Sequence, residues 1–227
     1  MKNYAIILAS GSGSRYGENI PKQFVEINGR TIFEYTLSSF NKAECIDEII
    51  AVVTPGYTEL AKKLIAKNGF SKVKKVIEGG ETRKDSSYAG VGVVEEENAI
   101  VLIHDCARPF VSQKIINDCI LSLKDHDAVG VAIPSTDTIF EVQNGVIKNI
   151  PERKNLMRAQ TPQGFKLSVI KKAHELSKNE KIFTDDCGLV QKYGLCDVFI
   201  VEGSEQNIKI TYPEDAFFAK KFFENNK

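Results

Sequence analysis

At 227 residues the chain is long enough for one sizeable α/β domain. A domain of that size buries roughly 70% of the surface its unfolded chain exposes, so no disulfide or metal staple is required. Thirty Lys and Arg balance 30 Asp and Glu, which argues against a nucleic-acid partner held by bulk charge and leaves any anionic ligand to local basic groups.

In chain order, Ala5 to Leu8 reads as a buried strand, and it runs straight into Leu8-Ala9-Ser10-Gly11-Ser12-Gly13-Ser14-Arg15. Gly11 and Gly13 let the backbone turn sharply and approach a ligand, backbone N–H groups in such a turn cradle phosphates, and Arg15 adds a donor suited to phosphate oxygens. Pro21-Lys22-Gln23-Phe24 follows, with Lys22 after a proline-fixed turn. Taken alone, this GxG loop also reads as a plain βα turn with surface charges. It lacks the third glycine of a dinucleotide fingerprint and the GK[ST] of a P-loop.

Glu48 to Val53, Lys74 to Ile77 and Ile100 to His104 are further apolar strand candidates. Helical patterns lie between and after them, at Thr31 to Phe40, Tyr57 to Lys67, Ser86 to Glu96 and Gln113 to Lys124. Continuous apolar strands alternating with helices predict a Rossmann-like, doubly wound α/β fold around a mostly parallel sheet. Gly79-Gly80-Glu81-Thr82-Arg83-Lys84-Asp85-Ser86 precedes the third helix, where Asp85-Ser86 also reads as a helix N-cap. The paired glycines would let backbone approach a ring, and the Ser86 hydroxyl can donate or accept at a base edge. His104-Asp105-Cys106-Ala107-Arg108-Pro109-Phe110 ends the fourth strand, where ligands of open α/β sheets bind and where a hard carboxylate suits Mg²⁺. His104 is read as a strand-end histidine satisfied by backbone rather than a site residue, and Cys106 as packing.

From Pro134 to Pro151 the pattern changes. Thr138 to Val142 and Val146 to Ile150 flank Gln143-Asn144-Gly145, a strong hairpin signal. One domain over 1–227 is expected, with 134–153 protruding as a β-hairpin arm that pairs two subunits into a homodimer; a plain surface excursion is the alternative. The five cysteines are odd in number and lack CxxC spacing. With no signal peptide and no apolar run of membrane length, they suggest reduced thiols in a cytoplasmic protein with no membrane partner.

The ordered set of motifs, GSGSR with PKQ above all, resembles the sugar-nucleotide pyrophosphorylase superfamily over essentially the whole chain. Within it the chain resembles the cytidylyltransferases that act on 2-C-methyl-D-erythritol 4-phosphate and on ribitol 5-phosphate. The resemblance implies CTP and a small polyol phosphate as substrates, with Mg²⁺ as cofactor. It implies nucleotide contacts at Ala9, Ser10, Gly11, Gly13, Gly79, Gly80, Arg83 and Ser86. Arg15, Lys22 and Lys209 (in Asn207-Ile208-Lys209-Ile210-Thr211) would be catalytic, and Asp105 would hold the metal. Arg108, whose other reading is to orient Asp105, and Arg153 and Thr184 would bind the polyol phosphate, Arg153 across a dimer. Gln160-Thr161-Pro162-Gln163-Gly164-Phe165 resembles a family turn of largely structural role. Ser10 departs from the usual Ala or Gly and could crowd the phosphates.

The implied reaction is attack by a polyol-phosphate oxygen on the α-phosphorus of CTP. Positioning and cationic stabilisation carry such a step. Ile150-Pro151-Glu152-Arg153, Cys187 and the absence of Lys after Asp137-Thr138-Ile139 resemble the ribitol branch, while Arg158-Ala159-Gln160-Thr161 resembles the erythritol branch. The balance leans to ribitol 5-phosphate, with 2-C-methyl-D-erythritol 4-phosphate as the alternative. A non-catalytic nucleotide-sensing domain would be expected to lack Arg15, Lys22, Asp105 or Lys209, and all four are present.

Overall fold

The computed structural model describes residues 1–11, 20–180, 183 and 185–225. In chain order the elements are β1 (Lys2–Ala9), β2 (Glu26–Ile27), β3 (Arg30–Thr31), α1 (Ile32–Lys42), β4 (Glu48–Val53), α2 (Thr58–Asn68), β5 (Val73–Glu78), α3 (Arg83–Gly92) and β6 (Ala99–Asp105). Then follow α4 (Gln113–Ser122), β7 (Ala128–Pro134), β8 (Glu141–Gln143), β9 (Val146–Asn149), β10 (Met157–Lys166), α5 (Leu167–Leu176), α6 (Asp186–Lys192), β11 (Val198–Glu202) and α7 (Pro213–Asn225).

The main sheet runs β11-β7-β10-β6-β1-β4-β5. Every pairing in it is parallel except those of β10, which lies antiparallel between β6 and β7. Successive strand residues point to opposite faces, so each strand feeds two cores. Ala5, Ile7, Ile49, Ala51 and Leu102 pack with Phe33, Leu37 and Phe40 of α1 and with Ile116 of α4. Tyr4, Ile6, Ile50, Val101 and Phe165 pack with Val91 of α3, Ile170 of α5 and Leu189 of α6. Each of the buried Val, Leu and Ile side chains among these contributes about 1.5–3 kcal/mol relative to exposure. Helices thus cover both sheet faces, as the alternating pattern predicts. No helix among the described residues is long and apolar enough to cross a membrane.

The hairpin signal is realised as β8 and β9. They are joined through Asn144 (φ 54°) and Gly145 (φ 76°), left-handed positions that match the twist of a two-residue turn. Every residue of β8 and β9 is exposed, and Ile139, Phe140, Val142, Val146, Ile147 and Ile150 present apolar side chains to solvent.

Several boundaries shift from the sequence reading: the first hairpin strand begins at Glu141 rather than Thr138, and α3 ends at Gly92 rather than Glu96. Helix α3 begins at Arg83, capped by Thr82, whose hydroxyl accepts from the Asp85 N–H while Asp85 reaches back to the Thr82 N–H. Asp85 is therefore the far partner of a capping box and Ser86 a helical residue, not the cap. The Gln160-to-Phe165 segment is not a turn but part of β10, with a register shift between Ala159 and Gln163.

Helix α1 starts with the same device. Thr31 accepts from the Glu34 N–H at 3.1 Å, and Glu34 accepts from the Thr31 N–H at 2.7 Å and from Asn68 at 2.8 Å. Burial alone would raise the Glu34 pKa, but these bonds hold it below its usual value. Thr31→Ala removes the hydroxyl half of this box. It should lower the unfolding free energy by about 1–2 kcal/mol at unchanged m-value in urea titration.

Candidate active site

The carboxyl ends of β1 and β6 lie side by side in register, Ile7 opposite His104 and Leu8 opposite Asp105. Above them opens a cleft of about 430 Å³. Of the residues singled out in the sequence, Ser10, Gly11, Lys22, Gly80, Arg83, Ser86, Asp105 and Lys209 line it. Gly13, Arg15 and Thr184 lie outside the described residues.

Asp105 forms the floor. Its Oδ1 accepts from Arg83 Nε at 2.9 Å and its Oδ2 from Lys209 Nζ at 2.6 Å. Burial pushes its pKa up, but the two adjacent cations outweigh burial and hold the carboxyl well below the usual range. Arg83 also gives Nη1 to Asp186 Oδ2 at 2.7 Å. Burial opposes its charge, yet Asp186 and Asp105 keep the guanidinium firmly protonated. The Arg83 side chain is therefore committed to two carboxylates, and its part in nucleotide contact is narrower than the sequence implied. Lys22 gives Nζ to the Ile210 carbonyl at 2.9 Å, so both cleft lysines are anchored near the 209–211 segment.

The glycines divide into two kinds. Among the described residues, a Cβ on Gly11 would meet nothing within 4 Å, which fits close approach by a ligand. A Cβ on Gly79 would lie 2.4 Å from Ser10 Cβ, and one on Gly80 2.4 Å from Asp85 Cβ. The paired glycines thus make room for the protein's own side chains, and Gly80 also lines the cleft. Ser10 does not crowd the cleft as feared, because its hydroxyl turns to Ser86 Oγ at 2.7 Å. Ser86 Oγ also accepts from the Gly80 N–H and donates to the Thr82 carbonyl. The Ser86 hydroxyl is therefore used in holding this loop, not held free for a base edge. Ala9 serves through its carbonyl, which accepts from Gln23 Nε2 at 2.5 Å, while the same amide donates to Gly11 O and Thr54 Oγ1. Sequence reasoning gave Gln23 no role; the hint was its place after Lys22 in the PKQ segment.

Arg108 is committed to backbone carbonyls, Nη1 to Asn207 at 2.8 Å and Nη2 to Ala159 at 3.3 Å. Its N–H donates to the Asp105 carbonyl at 2.9 Å, but among the described residues its side chain makes no hydrogen bond to the Asp105 carboxylate, so a side-chain orienting role is not seen. Arg153 sits on the arm side, exposed, with Nη1 on the Thr136 carbonyl at 3.3 Å, and does not line this chain's cleft. Gln163, in the segment read as a structural turn, gives Nε2 to Asp185 and accepts from the N–H groups of Asp186 and Cys187, joining β10 to the start of α6.

Among the described residues no group of three or more His, Cys, Asp and Glu converges. One ionised carboxylate facing a ligand cleft is nonetheless a fitting donor for Mg²⁺, which is commonly bound by one or two carboxylates plus substrate phosphates.

Three comparisons bear on this arrangement. The family model for 2-C-methyl-D-erythritol 4-phosphate cytidylyltransferase (IspD) matches residues 4–225. The bifunctional ribulose 5-phosphate reductase/CDP-ribitol pyrophosphorylase Bcs1 of Haemophilus influenzae is 43% identical over 99% of this chain, which spans 48% of that protein's length. The 2-C-methyl-D-erythritol 4-phosphate cytidylyltransferase of Thermobifida fusca is 40% identical, over 95% of this chain and 91% of that protein. The solved 4-diphosphocytidyl-2C-methyl-D-erythritol synthase of Anaerococcus prevotii superposes with a TM-score of 0.87 at 30% identity, covering 98% of this chain and 96% of that one.

His104 is fully buried, with Nε2 at 3.0 Å from the Arg108 carbonyl and Nδ1 at 3.0 Å from Thr161 Oγ1. Burial lowers its pKa to about 4. The unfolded chain takes up this proton near pH 6.5 and the folded chain only near 4, so its contribution to stability falls as pH drops through that window. Its imidazole proton resonances should hold the neutral shift from pH 7 down to pH 5. A midpoint near 6.5 by NMR titration would contradict the buried, satisfied reading.

Proposed function

The chain belongs to the 2-C-methyl-D-erythritol 4-phosphate cytidylyltransferase family and is a CTP-dependent cytidylyltransferase, and on that premise we propose that its second substrate is 2-C-methyl-D-erythritol 4-phosphate. The observation that carries the catalytic reading is the line Lys209–Asp105–Arg83 on the floor of a cleft that Ser10, Gly11 and Lys22 also line.

The bond that forms joins a polyol-phosphate oxygen to the α-phosphorus of CTP, and the bond that breaks frees pyrophosphate. The nucleophile is already an anion, so no general base is needed. That agrees with a neutral, buried His104 and with Cys106, whose thiol burial pushes up to about 12. The work left to the protein is to bring two anions together and offset the charge that builds on the α-phosphoryl and leaving groups. Lys22 and Arg15 hold the triphosphate, and the glycine loop, with Gly11 and Gly13, lets it approach the backbone. Lys209 exchanges its bond to Asp105 for one to a phosphate oxygen, and Asp105 is the residue that would hold Mg²⁺. That ion, when bound, supplies charge neutralisation at the transferring phosphoryl group. Thr184 and Arg153 hold the incoming phosphate.

The order of the two polyols reverses the one drawn from short segments. The family model and the full-length relatives bear the name of the erythritol substrate. Ribitol 5-phosphate stands as the second reading on two observations, the 43% identity with the Haemophilus CDP-ribitol pyrophosphorylase and the segment Ile150-Pro151-Glu152-Arg153.

We also read residues 134–153 as a dimerisation arm. Two strands alone are marginal in water, and this ribbon exposes apolar side chains on both strands, so a second subunit is the natural cover. Arg153, outside its own cleft, would then serve the neighbour's.

In a pyrophosphate-release assay with CTP, 2-C-methyl-D-erythritol 4-phosphate should give the higher kcat/KM, and UTP or ATP should give little turnover. A higher kcat/KM with ribitol 5-phosphate would hand the assignment to the second reading. Subunit sharing is tested by mixing. Arg153→Ala should raise the KM for the polyol phosphate far more than that for CTP. Arg153→Ala subunits combined with Lys22→Ala subunits, each nearly inactive alone, should partly recover activity, since half the sites of a mixed dimer then keep both residues. Mixed dimers that form without recovery would rule out an arginine acting across the dimer.

A further inference from the structure

Asp186 opens α6 and is fully buried, yet no step of the transfer described above uses it. A buried carboxylate costs several kcal/mol of desolvation, and as a rule an apolar side chain of similar size serves stability as well. Asp186 is nevertheless bonded at three points. Its Oδ2 accepts from Arg83 Nη1 at 2.7 Å, its Oδ1 accepts from Ser87 Oγ at 2.5 Å, and its N–H donates to Gln163 Oε1 at 2.9 Å. Behind it His174, also buried, places Nε2 3.1 Å from Ser87 Oγ and 3.8 Å from Asp186 Oδ1.

The consequence falls on Arg83. A guanidinium facing a carboxylate alone readily takes both oxygens in a fork. Here Nε serves Asp105 Oδ1 and Nη1 serves Asp186, so the plane of the fork is fixed from two sides and Asp105 keeps Oδ2 for Lys209. Helix α3 cannot easily drift to undo this. The neighbouring Lys84, itself buried, grips the Ser177 carbonyl at 2.5 Å and the Glu180 carbonyl from the same helical turn. What remains adjustable is the Arg83 side chain, and Asp186 holds it.

We infer that Asp186 is a positioning residue for cytidylyl transfer, fixing Arg83 so that the Asp105 carboxylate stays aimed at Lys209 and the cleft. The inference rests on the reading of Asp105 and Lys209 as the catalytic pair.

The test is a double-mutant cycle in the full chain, read as kcat/KM for CTP, with thermal unfolding followed alongside. Asp186→Asn should lower kcat/KM about tenfold or more, chiefly through kcat, and Arg83→Gln by at least as much. Added to Arg83→Gln, Asp186→Asn should cost less than about threefold further, because the group it positions is already gone. The same fold-loss on both backgrounds would overturn the inference, as would an Asp186→Asn enzyme with unchanged kcat/KM. A purely structural Asp186 predicts a lower Tm with losses that multiply. The same cycle read in CTP affinity by calorimetry serves if turnover of the double variant falls below detection. If Asp186→Asn does not fold, Ser87→Ala removes the bond to the other carboxylate oxygen; a loss with it that multiplies with that of Arg83→Gln would overturn the inference equally. Lys209→Ala separates the two ways of failing. Full turnover in it would sink the catalytic reading itself. Lost turnover in it, with multiplying losses at Arg83 and Asp186, would sink this inference alone.

Discussion

A carboxylate sealed at the end of a central strand has to be neutralised from within the protein, and the architecture of this molecule follows from how Asp105 meets that demand. Its charge is held by two cations from distant parts of the chain, Arg83 at the start of α3 and Lys209 in the segment before α7. Each cation then imposes a condition on its own surroundings. Arg83 carries more positive charge than half of one carboxylate can balance, and a second buried acid, Asp186, completes the account. Lys209 needs its backbone fixed, and Asn207 provides this by giving its amide to the Thr161 carbonyl while its own carbonyl accepts from Arg108. Thr161 in turn accepts from the Asp105 N–H. The loop, the bulged strand and the helix start are thereby tied to one acid.

Much of this was legible in the sequence, and the parts that were not share a cause. The alternation of apolar runs with helical patterns gave the parallel sheet because burial on both faces writes itself into consecutive residues. Asn144-Gly145 gave the hairpin because a left-handed pair is a local requirement. The cleft residues were found because glycine and charged side chains at strand ends are conspicuous, and eight of them do line one cleft. The start of α3 was misplaced by three residues because Thr, Asp and Ser all compete as caps in Thr82-Arg83-Lys84-Asp85-Ser86, and only geometry shows which hydroxyl meets the N3 amide. Gln23 and Asp186 went unread, and the partners of Gln163 with them, because each serves groups outside its own segment, and a polar residue that serves a carbonyl or guanidinium elsewhere leaves no periodic trace.

The glycines carry a similar lesson. Residues of one type in two motifs invited one explanation, room for a ligand, yet Gly79 and Gly80 make room for Ser10 and Asp85, while a Cβ on Gly11 would meet none of the described residues. The Ser10–Ser86 bond shows why a small hydroxyl is tolerated where a methyl or hydrogen is more usual: it adds a strut between the two loops that frame the cleft. The departure from the family pattern is thus absorbed by a second residue within the same wall.

The arm leaves the body between β7 and β10, which are neighbours in the sheet and paired antiparallel. Its two roots are therefore pinned side by side by the ladder itself, and what lies between them touches no strand register of the core. The hairpin tip can lengthen, shorten or change composition while Asp105 and its partners stay where they are. The constraint falls instead on the root, where Arg153 carries the substrate-binding role proposed above, so tip and root answer to different demands.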